Sequence, residues 1–158
     1  MLRRKLSKIS NGAKTILLIH GPNLNLLGQR DPKHYGVLTL KMLESEVKDY
    51  AKKLKFLVKT FQSNYEGALI DFLQKQGKTS AGIIINPGAL THYSYALYDA
   101  LLDSGLPAVE VHLSDVKNRE AFRKISVTAP ACKKIISGKK LAGYLEAVDY
   151  LAKVTTQV

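Results

Sequence analysis

Arg30 and Tyr35 are the two residues of this sequence that are best suited to act together as a base. They lie in Ile19–Gly36, IHGPNLNLLGQRDPKHYG, where a short apolar run is followed by a long polar segment. A free phenol has a pKa of about 10, and a nearby guanidinium lowers that value because it favours the anion. Such a tyrosinate could remove a proton from a carbon beside a carbonyl group. The alternative is an exposed arginine and a tyrosine that only packs.

Two further polar groups follow apolar runs. Asn86 and His92 belong to NPGALTH, and their amide and imidazole could hold the hydroxyls of a substrate. The alternative is an asparagine turn followed by a histidine at a helix cap. Glu110 and His112 alternate within a strand and therefore share one face. A carboxylate beside an imidazole favours the protonated ring and fixes its orientation, which suits a general acid. The alternative is a buried polar pair without a catalytic role.

Other polar residues and the single cysteine are interpreted from their positions in the sequence. Arg119 and Arg123 lie four residues apart, and a guanidinium suits a substrate carboxylate. Asp99 follows His92 by seven residues, which predicts that both lie near the same helical face. His20 closes an apolar run and is interpreted as structural. Cys132 is the single cysteine, which excludes an internal disulfide, and it is interpreted as a half-buried packing residue.

Several common classes of site are absent from the sequence. It contains no GxGxxG or GxxxxGK[ST] phosphate loop and no GxSxG nucleophile motif. It also contains no HExxH motif and no Cys/His spacing typical of zinc. We therefore expect chemistry that depends on side chains alone, with no cofactor and no metal.

The order of the apolar runs predicts the fold. Strands are predicted at 15–20, 56–61, 81–85, 109–112 and 135–137. Helices are predicted from Thr39 to 54, from 63 or 64 to 77, from Thr91 or His92 to 102, around 119–123, and at 141–154. This alternation predicts an α/β fold, a flavodoxin-like three-layer sandwich whose five-stranded parallel sheet carries helices on both faces. Ligands of such sheets bind beyond the carboxyl ends of the strands, where the three polar groups lie.

Charge and composition limit the possible partners. The 158 residues are 46% apolar, which suits one domain, and the formal net charge is +11. Residues 1–14 contain five Lys and Arg and no acid, and are interpreted as a disordered basic extension or a weak transit peptide, with 15–158 as the domain. A basic surface suits a small anionic substrate. The alternative function is a flavodoxin-like scaffold that binds a polyanion. No apolar run approaches the roughly 20 residues of a membrane span, so we expect a cytoplasmic protein without membrane partners.

Three blocks of the sequence, in order, closely resemble the type II 3-dehydroquinate dehydratases. They are GPNLNLLGQRDPKHYG, INPGALTHYSYALYDAL and VEVHLSDVKNREAFR, and the resemblance extends over roughly 16–151. It implies a lyase that removes water from 3-dehydroquinate to give 3-dehydroshikimate in the shikimate pathway for aromatic amino acids. It also implies an enzyme without metal or cofactor, no nucleic-acid partner, and a homododecamer built as four trimers.

The resemblance also implies the roles of particular residues. Tyr35 would abstract the proton, supported by Arg30, and His112, oriented by Glu110, would donate a proton to the leaving hydroxyl. Asn23 would hold the enolate through an ordered water, and 28–35 would form a lid. The residues implied in substrate binding are Asn86, His92, Leu113, Ser114, Arg123 and, from a neighbouring subunit, Asp99.

The sequence departs from the family near its last strand. Val127 stands where an aromatic residue is common, and Asp115 stands where asparagine is common. Glycines and small residues are replaced by Lys133, Lys134, Lys139 and Lys140. None of these positions has a catalytic role implied by the resemblance. We expect them to affect the local geometry of this strand and the subunit contacts there.

Overall fold

The computed structural model describes residues 13–29, 31, 33, 37–115 and 120–156. Strands and helices alternate along the chain. The strands are β1 (Lys14–His20), β2 (Phe56–Gln62), β3 (Gly82–Asn86), β4 (Ala108–His112) and β5 (Lys134–Ser137). The α-helices are α1 (Leu40–Lys53), α2 (Glu66–Gly77), α3 (Tyr95–Asp103) and α4 (Lys140–Thr156). Short 3-10 turns lie at Leu24–Leu26, Gly88–His92, Ala121–Lys124 and Ala129–Ala131.

The five strands form one sheet in the order β2-β1-β3-β4-β5, and every pair is parallel. The predicted α/β fold is therefore confirmed. β1 begins at Lys14, a residue that was predicted to belong to the basic extension. The Lys14 ammonium donates to the backbone carbonyl of Thr155 in α4, so this residue is tied to the domain.

Each face of the sheet has its own core. Ile16 and Leu18 of β1 pack on the face covered by α1 and α4, and Leu17 and Ile19 pack on the face covered by α2 and α3. All four side chains are fully buried. A strand buried on both faces needs no polar alternation, which is why the β1 sequence is continuously apolar.

Hydroxyl caps set the starts of α1 and α3, whereas the N-cap of α2, Tyr65, makes no side-chain cap hydrogen bond. Thr39 caps α1 as predicted, because its Oγ1 accepts from the Met42 amide at 3.2 Å. The prediction that the next helix starts at residue 63 or 64 was wrong. Ser63 instead accepts from the Tyr65 amide at 3.0 Å, and this turn delays α2 to Glu66.

The start predicted at Thr91 or His92 was also wrong. Residues Gly88–His92 form a 3-10 turn, and α3 begins only at Tyr95. The cap is Ser94, whose Oγ accepts from the Leu97 amide at 3.0 Å and donates to Glu66. Where a short helix was predicted around 119–123, the described part is the turn Ala121–Lys124. No helix among the described residues is long and apolar enough to cross a membrane.

Candidate active site

The carboxyl ends of β1 and β3 are joined through their backbones. Asn86 lies opposite His20 in the sheet register, and the Gly21 amide donates to the Asn86 carbonyl at 2.8 Å. A Cβ atom at Gly21 would lie 2.2 Å from the carbonyl oxygen of Pro87, so only glycine fits. The loops after these two strands are therefore in direct contact.

Glu110 and His112 form a buried pair at the end of β4. His112 Nε2 lies 2.7 Å from Glu110 Oε1, and the two residues are 7% and 0% exposed. They share one face of the strand, as the sequence predicted. The carboxylate also accepts from three hydroxyls: Thr91 at 2.7 Å, Thr128 at 2.7 Å and Ser126 at 3.1 Å.

These donors decide the charge of Glu110. Burial alone would raise the pKa of its carboxyl group, but the hydrogen bond and charge of His112 and the hydroxyls of Thr128 and Thr91 outweigh it. The net effect is a pKa below the ordinary value. An ionised carboxylate only accepts, so His112 Nε2 must be the donor. The proton that the His112 ring could transfer is then the one on Nδ1.

His92 is held at the end of the turn after β3. Its Nδ1 lies 2.6 Å from the carbonyl oxygen of Ile125, and its ring meets Phe122 edge-on with centroids 5.7 Å apart. A carbonyl only accepts, so Nδ1 carries a proton, and in the neutral ring Nε2 is an acceptor. The Arg123 guanidinium carbon lies over the Phe122 ring, 4.7 Å from its centroid, and Arg123 Nε donates to Glu120 at 2.8 Å.

Asn86 extends from the opposite face of the sheet. It is 3% exposed, and its Nδ2 donates to the Tyr144 hydroxyl of α4 at 2.9 Å. Its Oδ1 accepts from the Gly88 amide at 3.1 Å. Ile84, two residues earlier, packs with α1 and α4, whereas Glu110 bonds to residues beside α3. Any ligand that touches both groups must therefore lie across the strand ends.

Asn23 adopts a left-handed backbone with φ of 67°, which asparagine tolerates better than most residues. Its amide donates to Asn64 Oδ1 at 2.9 Å, and the buried Leu24 and Leu27 anchor the turn that follows. Its side chain is exposed beyond the end of β1.

The remaining candidate residues differ in their positions. Arg30, Tyr35 and Arg119 lie outside the described residues. Leu113 is buried and Ser114 half-buried, directly after β4. The prediction that Asp99 shares a helical face with His92 was wrong. The two residues belong to different elements, and Asp99 is exposed on α3.

Sequence reasoning missed the hydroxyls around Glu110 and the phenol at Asn86. A signal for Thr91, Ser126 and Thr128 existed, because a carboxylate in a strand this apolar must find donors. Ser126 and Thr128, two residues apart, could both have been proposed as such donors. Nothing in the sequence indicated Tyr144, which lies 58 residues from its partner Asn86.

Burial makes the side chains of Cys132 and His20 unsuited to catalysis. Burial raises the pKa of the Cys132 thiol to about 12, which makes it a poor nucleophile. Burial also lowers the pKa of His20 to about 3, so its imidazole stays neutral. Among the described residues, no three His, Cys, Asp or Glu side chains lie close enough together to hold a metal ion.

The fold and site define a flavodoxin-like α/β protein with a buried carboxylate–imidazole pair at the carboxyl end of its sheet. The sequence profile of the family described as Dehydroquinase class II matches residues 14–152, and the chain belongs to that family. Two curated relatives are named 3-dehydroquinate dehydratase. The one from Roseiflexus castenholzii is 52% identical over 136 residues, covering 86% of this chain and 87% of its own. The one from Deinococcus radiodurans is 51% identical over 142 residues, covering 88% and 98%.

Solved structures agree with this assignment. The chain is similar to the crystal structure of type II dehydroquinase from Butyrivibrio crossotus, with a TM-score of 0.86 and 46% identity. The match covers 89% of this chain and 98% of that one. The type II dehydroquinase from Propionibacterium acnes gives the same TM-score of 0.86 at 35% identity.

Proposed function

We propose that the protein dehydrates 3-dehydroquinate to 3-dehydroshikimate, in the cytoplasm, as a step of the shikimate pathway for aromatic amino acids. The observation that carries the proposal is the buried Glu110–His112 pair at the carboxyl end of β4, in a chain of this family. The basic composition, with a formal net charge of +11, suits a substrate that carries a carboxylate.

The first step is removal of a proton from the carbon beside the ketone. Tyr35, as tyrosinate, takes this proton, and Arg30 favours the ionised phenol. The C–H electron pair moves toward the ketone, whose oxygen becomes an enolate. Asn23 holds that oxygen through an ordered water. Fixed donors stabilise the charge where it develops, so the step needs no metal.

The second step expels the hydroxyl group from the next carbon. The enolate re-forms the ketone, a C=C bond forms, and the C–O bond breaks. His112 donates its Nδ1 proton to the departing oxygen, which leaves as water. The Nε2–H of His112 stays hydrogen-bonded to Glu110, which keeps the ring oriented throughout both steps. Solvent then returns a proton to His112 and accepts the one held by Tyr35.

Substrate binding falls to the residues around this pair. Asn86, His92 and Ser114 bind hydroxyls, together with the backbone at Leu113, and Arg123 binds the carboxylate. The contact of Arg123 with Phe122 and Glu120 supports this role, because it limits the conformations of a long side chain. Residues 28–35 close over the substrate as a lid and exclude water.

The proposal includes assembly into a homododecamer, a tetramer of trimers, in which Asp99 reaches a neighbouring site. Large apolar side chains are exposed on the segments that flank His92. They are Tyr93 (60%), Tyr95 (69%), Phe122 (55%) and Ile125 (62%). Apolar groups at this density favour contact with another protein surface, and a second copy of the chain would cover them.

The test is a direct assay that follows the conjugated enone product by ultraviolet absorbance. Wild-type protein should form product, and Tyr35→Phe should lose at least about a hundredfold in kcat because it removes the base. The variant should still bind substrate with nearly unchanged affinity. Folded wild-type protein without product would contradict the proposal. If that protein also bound DNA with a steep salt dependence, the polyanion-binding scaffold would be the better explanation.

A further inference from the structure

The Asn86 carboxamide is fixed by two partners that require opposite ends of it. The Gly88 amide lies 3.1 Å from Oδ1 and can only donate, so the atom facing it must be the oxygen. The nitrogen then faces the Tyr144 hydroxyl at 2.9 Å, which accepts. A terminal amide has two broad rotamers that exchange its oxygen and nitrogen. Here both contacts select the same one.

Tyr144 is packed in the core next to this amide. It is fully buried in α4, and its ring lies 5.8 Å from that of His20, the residue opposite Asn86 in the sheet. The preceding Gly143 lets the helix approach closely, because a Cβ there would lie 3.1 Å from Ile136. Burial raises the pKa of the Tyr144 phenol, so the hydroxyl stays neutral and cannot serve as the base.

We propose that Tyr144 is a positioning residue, whose hydroxyl on α4 sets the substrate-binding orientation of Asn86. The inference rests on the proposed function, in which Asn86 binds a substrate hydroxyl. The phenol occupies one Nδ2 hydrogen and leaves the other hydrogen and the free side of Oδ1 for the substrate. Without it, a buried amide donor loses its partner and the carboxamide loses one of its two restraints.

The test is Tyr144→Phe, which removes one oxygen and keeps the ring. A substrate hydroxyl held by Asn86 is bound in the ground state and the transition state alike, so its loss acts on KM. We expect KM to rise about tenfold, as for one lost hydrogen bond, with kcat within about twofold of wild type. KM does not depend on the folded fraction, so partial unfolding cannot produce this pattern. If Tyr144→Phe yields no folded protein, Tyr144→Met should give the same rise in KM.

A double-mutant cycle separates positioning from packing. In the background of Asn86→Ala, removal of the Tyr144 hydroxyl should change kcat/KM by less than about twofold, because it acts only through the missing amide. The matched control is Tyr50→Phe, which removes a phenol hydrogen bond to Asp149 of 2.9 Å between α1 and α4. This control should leave KM unchanged.

The outcomes are distinct. If wild-type enzyme gives no product, the proposed function fails, whatever the variants do. If wild type is active and Tyr144→Phe leaves KM unchanged, the positioning role is wrong. The positioning role is also wrong if Tyr144→Phe lowers kcat/KM as much in the Asn86→Ala background as in wild type. It is wrong as well if Tyr50→Phe raises KM as much as Tyr144→Phe does.

Discussion

At the scale of residues, four of the hydrogen bonds of the site converge on the Glu110 carboxylate. Glu110 is fully buried, and a buried charge is costly unless polar groups surround it. Oε1 accepts from His112, Thr91 and Ser126, and Oε2 accepts from Thr128. The stability of the fold and the orientation of the His112 ring therefore depend on the same hydrogen bonds. The donors that keep Glu110 ionised also fix the carboxylate that holds the ring.

Replacing Thr128 by valine should lower the stability of the protein by an amount that depends on pH. The variant removes the 2.7 Å bond to Oε2 and should lower the free energy of unfolding by about 1–3 kcal/mol at pH 7. The folded pKa of Glu110 is depressed, so its stabilisation is present above the unfolded value and is lost as pH falls through the folded one. The penalty should therefore shrink below about pH 4.

Urea unfolding of both proteins across this pH range measures the effect. The matched control is Thr155→Val, which removes a buried hydroxyl that donates to the Leu151 carbonyl at 2.7 Å, with no carboxylate involved. Its penalty should not vary with pH. A penalty for Thr128→Val that is equal at pH 7 and pH 3 would show that Glu110 is not the group stabilised.

The site was predictable from sequence to the extent that its residues lie in contiguous blocks. Glu110 and His112 were paired by strand alternation, and the structure places them in contact. The contact of Asn86 with Tyr144 joins distant segments through tertiary packing, and no local pattern encodes it. The separation of Asn86 and His112 onto opposite faces depends on the registers of β3 and β4, which sequence alone did not fix.

At the scale of elements, boundaries were predicted well where one cap dominates and poorly where two candidates compete. Thr39 is followed at once by the apolar stripe of α1, and the predicted start was confirmed. Before α3, both Thr91 and Ser94 could cap a helix. The choice was decided by a tertiary contact, because the Thr91 hydroxyl is already engaged by Glu110. Propensity alone carries no information about such competition.

The start of α4 contains a local strain that can be relieved. Lys140 has φ of 49°, a left-handed conformation that costs a residue with a side chain about 1 kcal/mol relative to glycine. Lys140→Gly should therefore raise the free energy of unfolding by about that amount, measured as an increase in the urea midpoint at constant slope. The same change at exposed Lys153, inside the helix, should lower stability by about 1 kcal/mol. Destabilisation by both changes would show that Lys140 is not strained.

At the scale of the whole molecule, His20 makes the fold sensitive to acid. Burial lowers its folded pKa from 6.5 to about 3, although Glu44 lies 3.7 Å away and would favour the imidazolium. The unfolded chain binds a proton that the native state excludes, so stability should fall as pH drops from about 6.5 toward 3. Between pH 6 and pH 5 we expect a loss of about 1 kcal/mol from this residue.

The measurement compares wild type with His20→Gln in denaturant titrations at fixed protein concentration. The variant keeps every other histidine, so the difference in slope between pH 6 and pH 5 isolates His20. The absolute stability of the variant does not enter the comparison. Equal pH slopes in the two proteins would show that His20 titrates normally in the native state.

The proposed assembly links activity to subunit contacts. Tyr95→Asp places a charge in the exposed apolar surface beside His92 and should give a smaller particle by sedimentation, with reduced activity. Asp99→Ala should keep the particle size and lower kcat/KM by about tenfold, as for one lost charged contact. The exposed Asp103 lies one turn further along α3, and Asp103→Ala should change neither quantity. An active monomer after Tyr95→Asp would contradict the link.

The contact between Gly21 and Pro87 has a consequence for anyone who wishes to transplant this site. The backbones after β1 and β3 meet so closely that a single methyl group would force them apart. The two loops are therefore one module, although 66 residues separate these positions in the sequence. A graft that moves the Asn23 loop into another α/β scaffold must carry the Asn86 loop with it, together with the spacing of the two strands that support them.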